Sequence, residues 1–147
     1  TGIAGLKELV GQHLGYSDEL EITQERVNTF ADATGDHQWI HVDPERAKDG
    51  PFGGPIAHGY LTLSLGPALL PTIVSVEGMR MAVNYGMGKV RFPSPVPVGS
   101  KLRLGAELTS LEELDGNGAQ VTMTFTYEVV GAPKSCCVAE VIFLYYE

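Results

Sequence analysis

At 147 residues, 44% of them hydrophobic, the chain has material for one domain with a buried core and too little for two. Its formal net charge of -8 argues against a nucleic-acid surface or an anionic-membrane surface, both of which ask for basic patches. The charge is uneven, however: positions 78–106 hold no Asp or Glu yet contain Arg80, Lys89, Arg91, Lys101 and Arg103, a cationic zone better suited to a small polyanion than to a polymer.

In chain order, residues 3–10 read as a short amphipathic helix stopped at Gly11, and residues 13–22 as a strand. Thr23 is placed to cap a helix running to about Gly35, with Val27, Phe30, Ala31 and Thr34 on one face. Gly35 before and Pro44 after make the intervening segment a loop, followed by a helical turn over 44–48 with Asp43 as cap and Pro44 at its first position. Residues 57–70 carry no charged side chain, which predicts a long helix buried nearly all round.

Four strand-like runs follow, at 77–92, 101–113, 119–130 and 134–146. In the third, Val121, Met123, Phe125, Tyr127 and Val129 alternate with Gln120, Thr122, Thr124, Thr126 and Glu128. Asp115-Gly-Asn-Gly118 is a hairpin signal, and 131–134 supplies the next turn. Gly86 and Gly88 inside the first run predict a bulge or the close approach of another backbone. The last run is apolar on both faces apart from Glu140, as suits a central strand or a surface covered by a partner. An apolar helix followed by an antiparallel meander is most simply satisfied when the sheet curls round the helix: an α+β fold in one domain spanning 1–147.

The adjacent Cys136 and Cys137 lie in a strand-like segment, where a disulfide between them would be strained, so they read as packed thiols. With no disulfide framework and no secretory pattern, the expectation is a reducing cytoplasm. The longest apolar stretch, 60–74, is interrupted by Ser64, Pro67 and Pro71 and is too short to span a bilayer.

Chemistry concentrates at Asp36 and His41. Five residues apart, they would lie on different faces of a helix, but in a loop both can converge on one water, and a carboxylate with an imidazole can remove and return protons near neutral pH. The plain alternatives are that Asp36 caps a turn and that His41 anchors the loop. His37 and His41 have the i, i+4 spacing of a metal pair, with His58 or Asp43 as a third ligand, but that needs a regular helix and the sequence has no His-Glu-x-x-His pattern. No metal is expected. His58 reads as a packing or hydrogen-bonding residue at the helix start. Gly59 falls in the helix's first turn, where an unpartnered N–H could meet a carbonyl oxygen; equally, glycine could simply permit close packing. Lys89 and Arg91 share one strand face, either solvated or holding phosphates, and Asn84 and Tyr85 line a pocket or an interface.

Asp36 and His41, the apolar residue before His41, Asp43-Pro44 and Pro55-Ile-Ala-His-Gly59 together resemble the MaoC-like dehydratases, the R-specific enoyl-CoA hydratases of the hot-dog fold. The resemblance extends through Asn84-Tyr85, Lys89-Val-Arg-Phe92 and Pro95-Val-Pro-Val-Gly99. It departs at Gln38-Trp39, where family members commonly carry Asn-Pro, which leaves the acid/base pair intact but alters the loop and pocket wall. The resemblance implies reversible hydration of trans-2-enoyl thioesters to R-3-hydroxyacyl thioesters, with Asp36 and His41 activating one water and the Gly59 N–H steadying the thioester oxygen. It further implies a homodimer and no cofactor, with coenzyme A as the substrate's carrier and acyl carrier protein as an alternative one. A hot-dog thioesterase, and an acyl-thioester-binding subunit or sensor without turnover, are the competing readings.

Overall fold

A computed structural model describes residues 2–147. Helix α1 (Ile3–Glu8) leads into strands β1 (His13–Tyr16) and β2 (Leu20–Glu21). The sequence predicted one strand here; it is divided at Ser17, whose hydroxyl accepts from Leu104 N at 2.8 Å and donates to Asp18 O at 2.8 Å. Helix α2 (Gln24–Thr34) is capped as predicted, the Thr23 hydroxyl accepting from Arg26 N, and buries Val27 and Ala31. It ends at Gly35, whose φ of 83° turns the chain out of the helix while its N–H returns to Ala31 O.

A short helix, α3 (Trp39–Val42), crosses the segment read as a loop, and α4 (Pro44–Lys48) is the predicted helical turn, with the Asp43 side chain accepting from Arg46 N. Trp39, the residue that departs from the family pattern, lies under the Arg46 guanidinium at 4.5 Å and against Gly50, where an added Cβ would stand 2.9 Å from the indole. The one-turn α3 is thus fastened to α4 and the turn beyond it.

The predicted long helix is interrupted. Helix α5 (Gly59–Ser64) gives way at Leu65 to α6 (Gly66–Leu69) and a 3-10 turn over Leu70–Thr72. Pro67 has no N–H to offer the carbonyl four residues back, and the Tyr127 hydroxyl donates to that Leu63 carbonyl instead, at 2.7 Å. Gly66 lets the two elements meet: a Cβ there would lie 2.5 Å from the Tyr127 oxygen and 2.7 Å from the Phe125 ring. The helical segment is also not buried all round. Leu61, Thr62, Leu65, Leu69 and Leu70 face the core, but Tyr60, Ser64, Pro67 and Ala68 form an open face. Absence of charge signalled a face without charge, not one without exposure.

Strands β3 (Met81–Arg91), β4 (Lys101–Leu114), β5 (Gly118–Val129) and β6 (Ser135–Tyr146) form the meander. All pairings are antiparallel, in the order β1-β4-β5-β6-β3, with β2 also on β4. The hairpin between β4 and β5 turns through Gly116 and Asn117, both at positive φ. Strand β6 is central, as its two apolar faces suggested. The register of β3 on β6 shifts around Gly86 and again between Met87 and Val90, as the predicted bulge requires; what comes close to Gly88 is not another backbone but a side chain, a Cβ there standing 3.1 Å from the Glu140 carboxyl group. The core lies between the sheet's inner face and α5–α6, around Leu102, Leu104, Leu108, Met123, Phe125 and Tyr127. Both cysteines are buried, and burial pushes the Cys136 thiol up to about 11 and the Cys137 thiol up to about 12, so they are packed, protonated thiols. No helix among the described residues is long and apolar enough to cross a membrane.

Candidate active site

The segment Pro55 to Ala57 is a strap that carries the site. Ile56 N donates to Ile40 O at 2.9 Å, Ala57 N to Val96 O at 2.8 Å, and Val98 N to Pro55 O at 2.9 Å. It thereby ties α3 to the chain entering β4 and delivers His58 and Gly59 to the start of α5. From the other side, the Gln24 side-chain amide of α2 donates to the His41 carbonyl at 2.8 Å.

His41 is 7% exposed, and its Nδ1 lies 2.7 Å from the Ile56 carbonyl oxygen. A carbonyl can only accept, so Nδ1 carries the hydrogen and the neutral ring keeps its lone pair on Nε2. Asp36 is exposed, and its Oδ1 is 3.5 Å from Gln38 N, the limit of a hydrogen bond. Turn capping therefore makes little demand on this carboxylate. One carboxylate oxygen of Asp36 and one nitrogen each of His41 and His58 lie within 4.8 Å of one another. A water about 2.8 Å from each of two groups spans up to roughly 5.6 Å between them, so the site has the dimensions to hold one.

The third member, His58, is the packing and hydrogen-bonding residue at the helix start that the sequence indicates. His58 is 2% exposed; its Nε2 meets the Asp36 carbonyl at 3.0 Å and its ring stacks on His41 with centroids 3.9 Å apart and planes inclined by 27°. Burial, with the neighbouring His41, holds its pKa below the ordinary 6.5, against the opposing pull of the Asp36 carbonyl. What the sequence does not give is the identity of its partners, the Asp36 carbonyl and the rings of Phe30 and His41. The same stacking speaks against a metal centre: an ion bound by two imidazoles sits near both ring planes, and near-parallel stacked rings share no such position. His37, the other half of the supposed i, i+4 pair, turns instead to Asp32 at 2.9 Å.

Gly59 opens α5 with its N–H unpartnered among the described residues. Phe92 uses the missing side chain as well, since a Cβ on Gly59 would stand 3.1 Å from its ring. Beside them is a cavity of about 260 Å³ lined by Phe52, Ile56, Gly59, Thr62, Phe92 and Val96. Lys89 and Arg91 occupy the exposed end of β3 that leads into Phe92; neither forms an ion pair among the described residues, and Arg91 donates only to Val90 O. The register shift lies between Met87 and Val90, and beyond it Lys89 and Arg91 are exposed with Val90 half-buried between them. Arg103, by contrast, is spent on Glu128 at 2.7 Å and on the Tyr16 ring. Asn84 faces the helix across an apolar groove of about 280 Å³ that also takes in Tyr60, Leu63, Pro67, Met87 and Phe143, while Tyr85 projects outward from the same edge strand.

The fold is that of known R-hydratases. An (R)-hydratase from A. caviae involved in PHA biosynthesis superposes with a TM-score of 0.69 at 28% identity, covering 91% of this chain and 94% of that one. An R-hydratase of Pseudomonas aeruginosa gives 0.71 at 26% identity, covering 94% and 82%. The molecule is therefore a hot-dog enzyme of the hydratase/dehydratase class. Its sequence is 54% identical over 143 residues to a 3-hydroxyacyl-thioester dehydratase of Mycobacterium tuberculosis, covering 97% of this chain and 95% of that protein. The profile of the MaoC like domain matches residues 6–131, and the chain belongs to the MaoC-like dehydratase family.

Proposed function

We propose that the protein catalyses the reversible addition of water to trans-2-enoyl thioesters, giving R-3-hydroxyacyl thioesters. The observation that carries this reading is the fixed His41 tautomer: with Nδ1–H held by Ile56, the Nε2 lone pair is left for a water shared with the Asp36 carboxylate. The mycobacterial and R-hydratase relatives support the substrate class and the stereochemistry. In the hydration direction the pair takes a proton from the water as its oxygen attacks C3, and a proton is delivered to C2. The Gly59 N–H offers a hydrogen bond to the thioester oxygen, where enolate-like charge gathers. Hydration leaves the electron count unchanged, so no redox cofactor is required.

Coenzyme A is the carrier we favour, with Lys89 and Arg91 receiving its phosphates. We assign a second copy of the chain to the open face of α5–α6 and the β3 edge, where Tyr60, Met81, Tyr85, Met87 and Phe92 are all exposed. Sedimentation of the active protein should give a dimer; a fully active monomer would refute that assignment.

The test of the reaction is loss of the conjugated ultraviolet absorbance of crotonyl-CoA. Asp36→Asn and His41→Ala should each lower kcat by about 10² to 10⁴, and the double variant should be little slower than the worse single one. Near-native turnover by either variant, or release of free thiol without a hydroxyacyl product, would overturn the reading, the latter in favour of a thioesterase.

A further inference from the structure

His58 is an imidazole where an aromatic hydrocarbon would pack better. It lies between Phe30, 4.8 Å away between ring centroids, and His41, 3.9 Å away, and both contacts are ring contacts that a phenyl group would also make. Its Nδ1 is buried without a hydrogen-bond partner among the described residues, an expense that phenylalanine would avoid. What the imidazole adds is one bond, Nε2–H to the Asp36 carbonyl, across 22 residues of chain. That bond holds the peptide that carries one member of the acid/base pair, while the ring face holds the other.

We propose that His58 is a positioning residue for the hydration reaction: through its Nε2–H it fixes the main chain of Asp36, and through its ring face it fixes the His41 imidazole, so that both address the same water. The inference rests on the hydration reading above. His58 touches no reacting atom; it acts through Asp36 and His41. Among the described residues the titratable groups that face it are His41, stacked on it, Asp36, whose carbonyl it holds, and the more distant His37; the α2 ring that packs on it is the uncharged Phe30. Burial and the adjacent imidazole both oppose a charge on His58, whereas His41 stands beside an exposed carboxylate. The ring behind His41 is therefore held neutral.

Two measurements test this. In the wild-type protein, imidazole nitrogen shifts should show His58 as the neutral Nε2–H tautomer from pH 8 down to below 6.5. A hydrogen on Nδ1, or titration at or above 6.5, refutes the proposal without reference to activity. In the crotonyl-CoA assay, His58→Phe keeps the stack and loses the donor. Since a misplacement of about 1 Å costs on the order of 10²-fold, its kcat should fall by about that factor with KM within about threefold of the wild type. His58→Gln, whose amide nitrogen reaches the Nε2 position, should recover at least about tenfold of the loss. A Phe variant with native kcat, a loss seen equally in KM, or a Gln variant no better than Phe each overturns the assignment. Asp36→Asn run alongside separates the failures: if it too is fully active, the hydration reading is at fault, and if it is dead while His58→Phe is unaffected, only the role of His58 falls.

Discussion

Gly59 admits two roles that one substitution can separate. The Phe92 ring stands 3.1 to 3.2 Å from the place a Cβ would take, so Gly59→Ala forces the ring aside by a few tenths of an ångström. Overpacking costs about 1 to 3 kcal/mol, and because Phe92 is 43% exposed and can yield towards solvent, the lower end applies. About 1 kcal/mol corresponds to a fall in Tm of roughly 2 to 4 °C for a chain of this size. In a Phe92→Ala background the collision partner is gone, and Gly59→Ala should then cost nothing measurable. If glycine serves only the ring, turnover of the double variant will match that of Phe92→Ala. If the ligand also needs the space, kcat/KM will stay depressed by about tenfold or more even though the stability penalty has vanished, since a displaced oxyanion contact is worth up to about 10² to 10³. The assays are thermal melting and crotonyl-CoA hydration on the four proteins of the cycle. Full kinetic recovery in the Phe92→Ala background would refute the oxyanion role; an unchanged melting penalty there would refute the steric account.

Tyr127→Phe removes the donor that replaces the one missing at Pro67 and leaves the Leu63 carbonyl unpaired, so Tm should drop by roughly 2 to 10 °C, corresponding to about 1 to 3 kcal/mol; no drop would mean the carbonyl finds another donor. His58 makes stability depend on pH in a definite direction. Its folded pKa lies below the ordinary 6.5, so above 6.5 neither state is protonated there, and as pH falls below 6.5 the unfolded chain takes up a proton that the folded site refuses. Wild-type Tm should therefore decline between pH 7.5 and 5.5 more steeply than that of His58→Gln, and equal slopes would contradict this. Arg91→Ala should raise KM for crotonyl-CoA by about two- to fivefold, with kcat unchanged and a weaker dependence of KM on salt, as suits an exposed charge meeting phosphate. Equal damage to a short thioester without the nucleotide would place the phosphates elsewhere.

Local signals carried far in this chain. Alternation in β5, the turn residues at 115–118, the glycines of β3 and the Thr23 cap each depend on neighbours within a few positions, and each took the form its chemistry dictates. A glycine and a proline bracket Asp36 and His41, and the two do come together, although His41 stands on the short helix α3 rather than in the loop the bracketing implied. What escaped depends on distant partners. Pro67 was in plain view, but the helix break is completed by a hydroxyl 64 residues away, and the role of His58 rests on the carbonyl of a residue 22 positions earlier. The open face of α5–α6 escaped for another reason: a run of apolar and small residues reads the same whether it meets its own sheet or lies uncovered in one chain.

The division of labour within Asp36 has an evolutionary consequence. Its main chain serves architecture, accepting from His58, while its carboxylate has only a 3.5 Å approach to Gln38 N. Any residue that replaces it brings the same carbonyl, so the scaffold exerts almost no selection on the side chain to which we assign the chemistry. Descendants of such a protein can lose turnover in a single codon change and keep the fold, the pocket and the assembly surface whole. The lineage thereby has a short route from enzyme to receptor, and an intact structure is no safeguard against taking it.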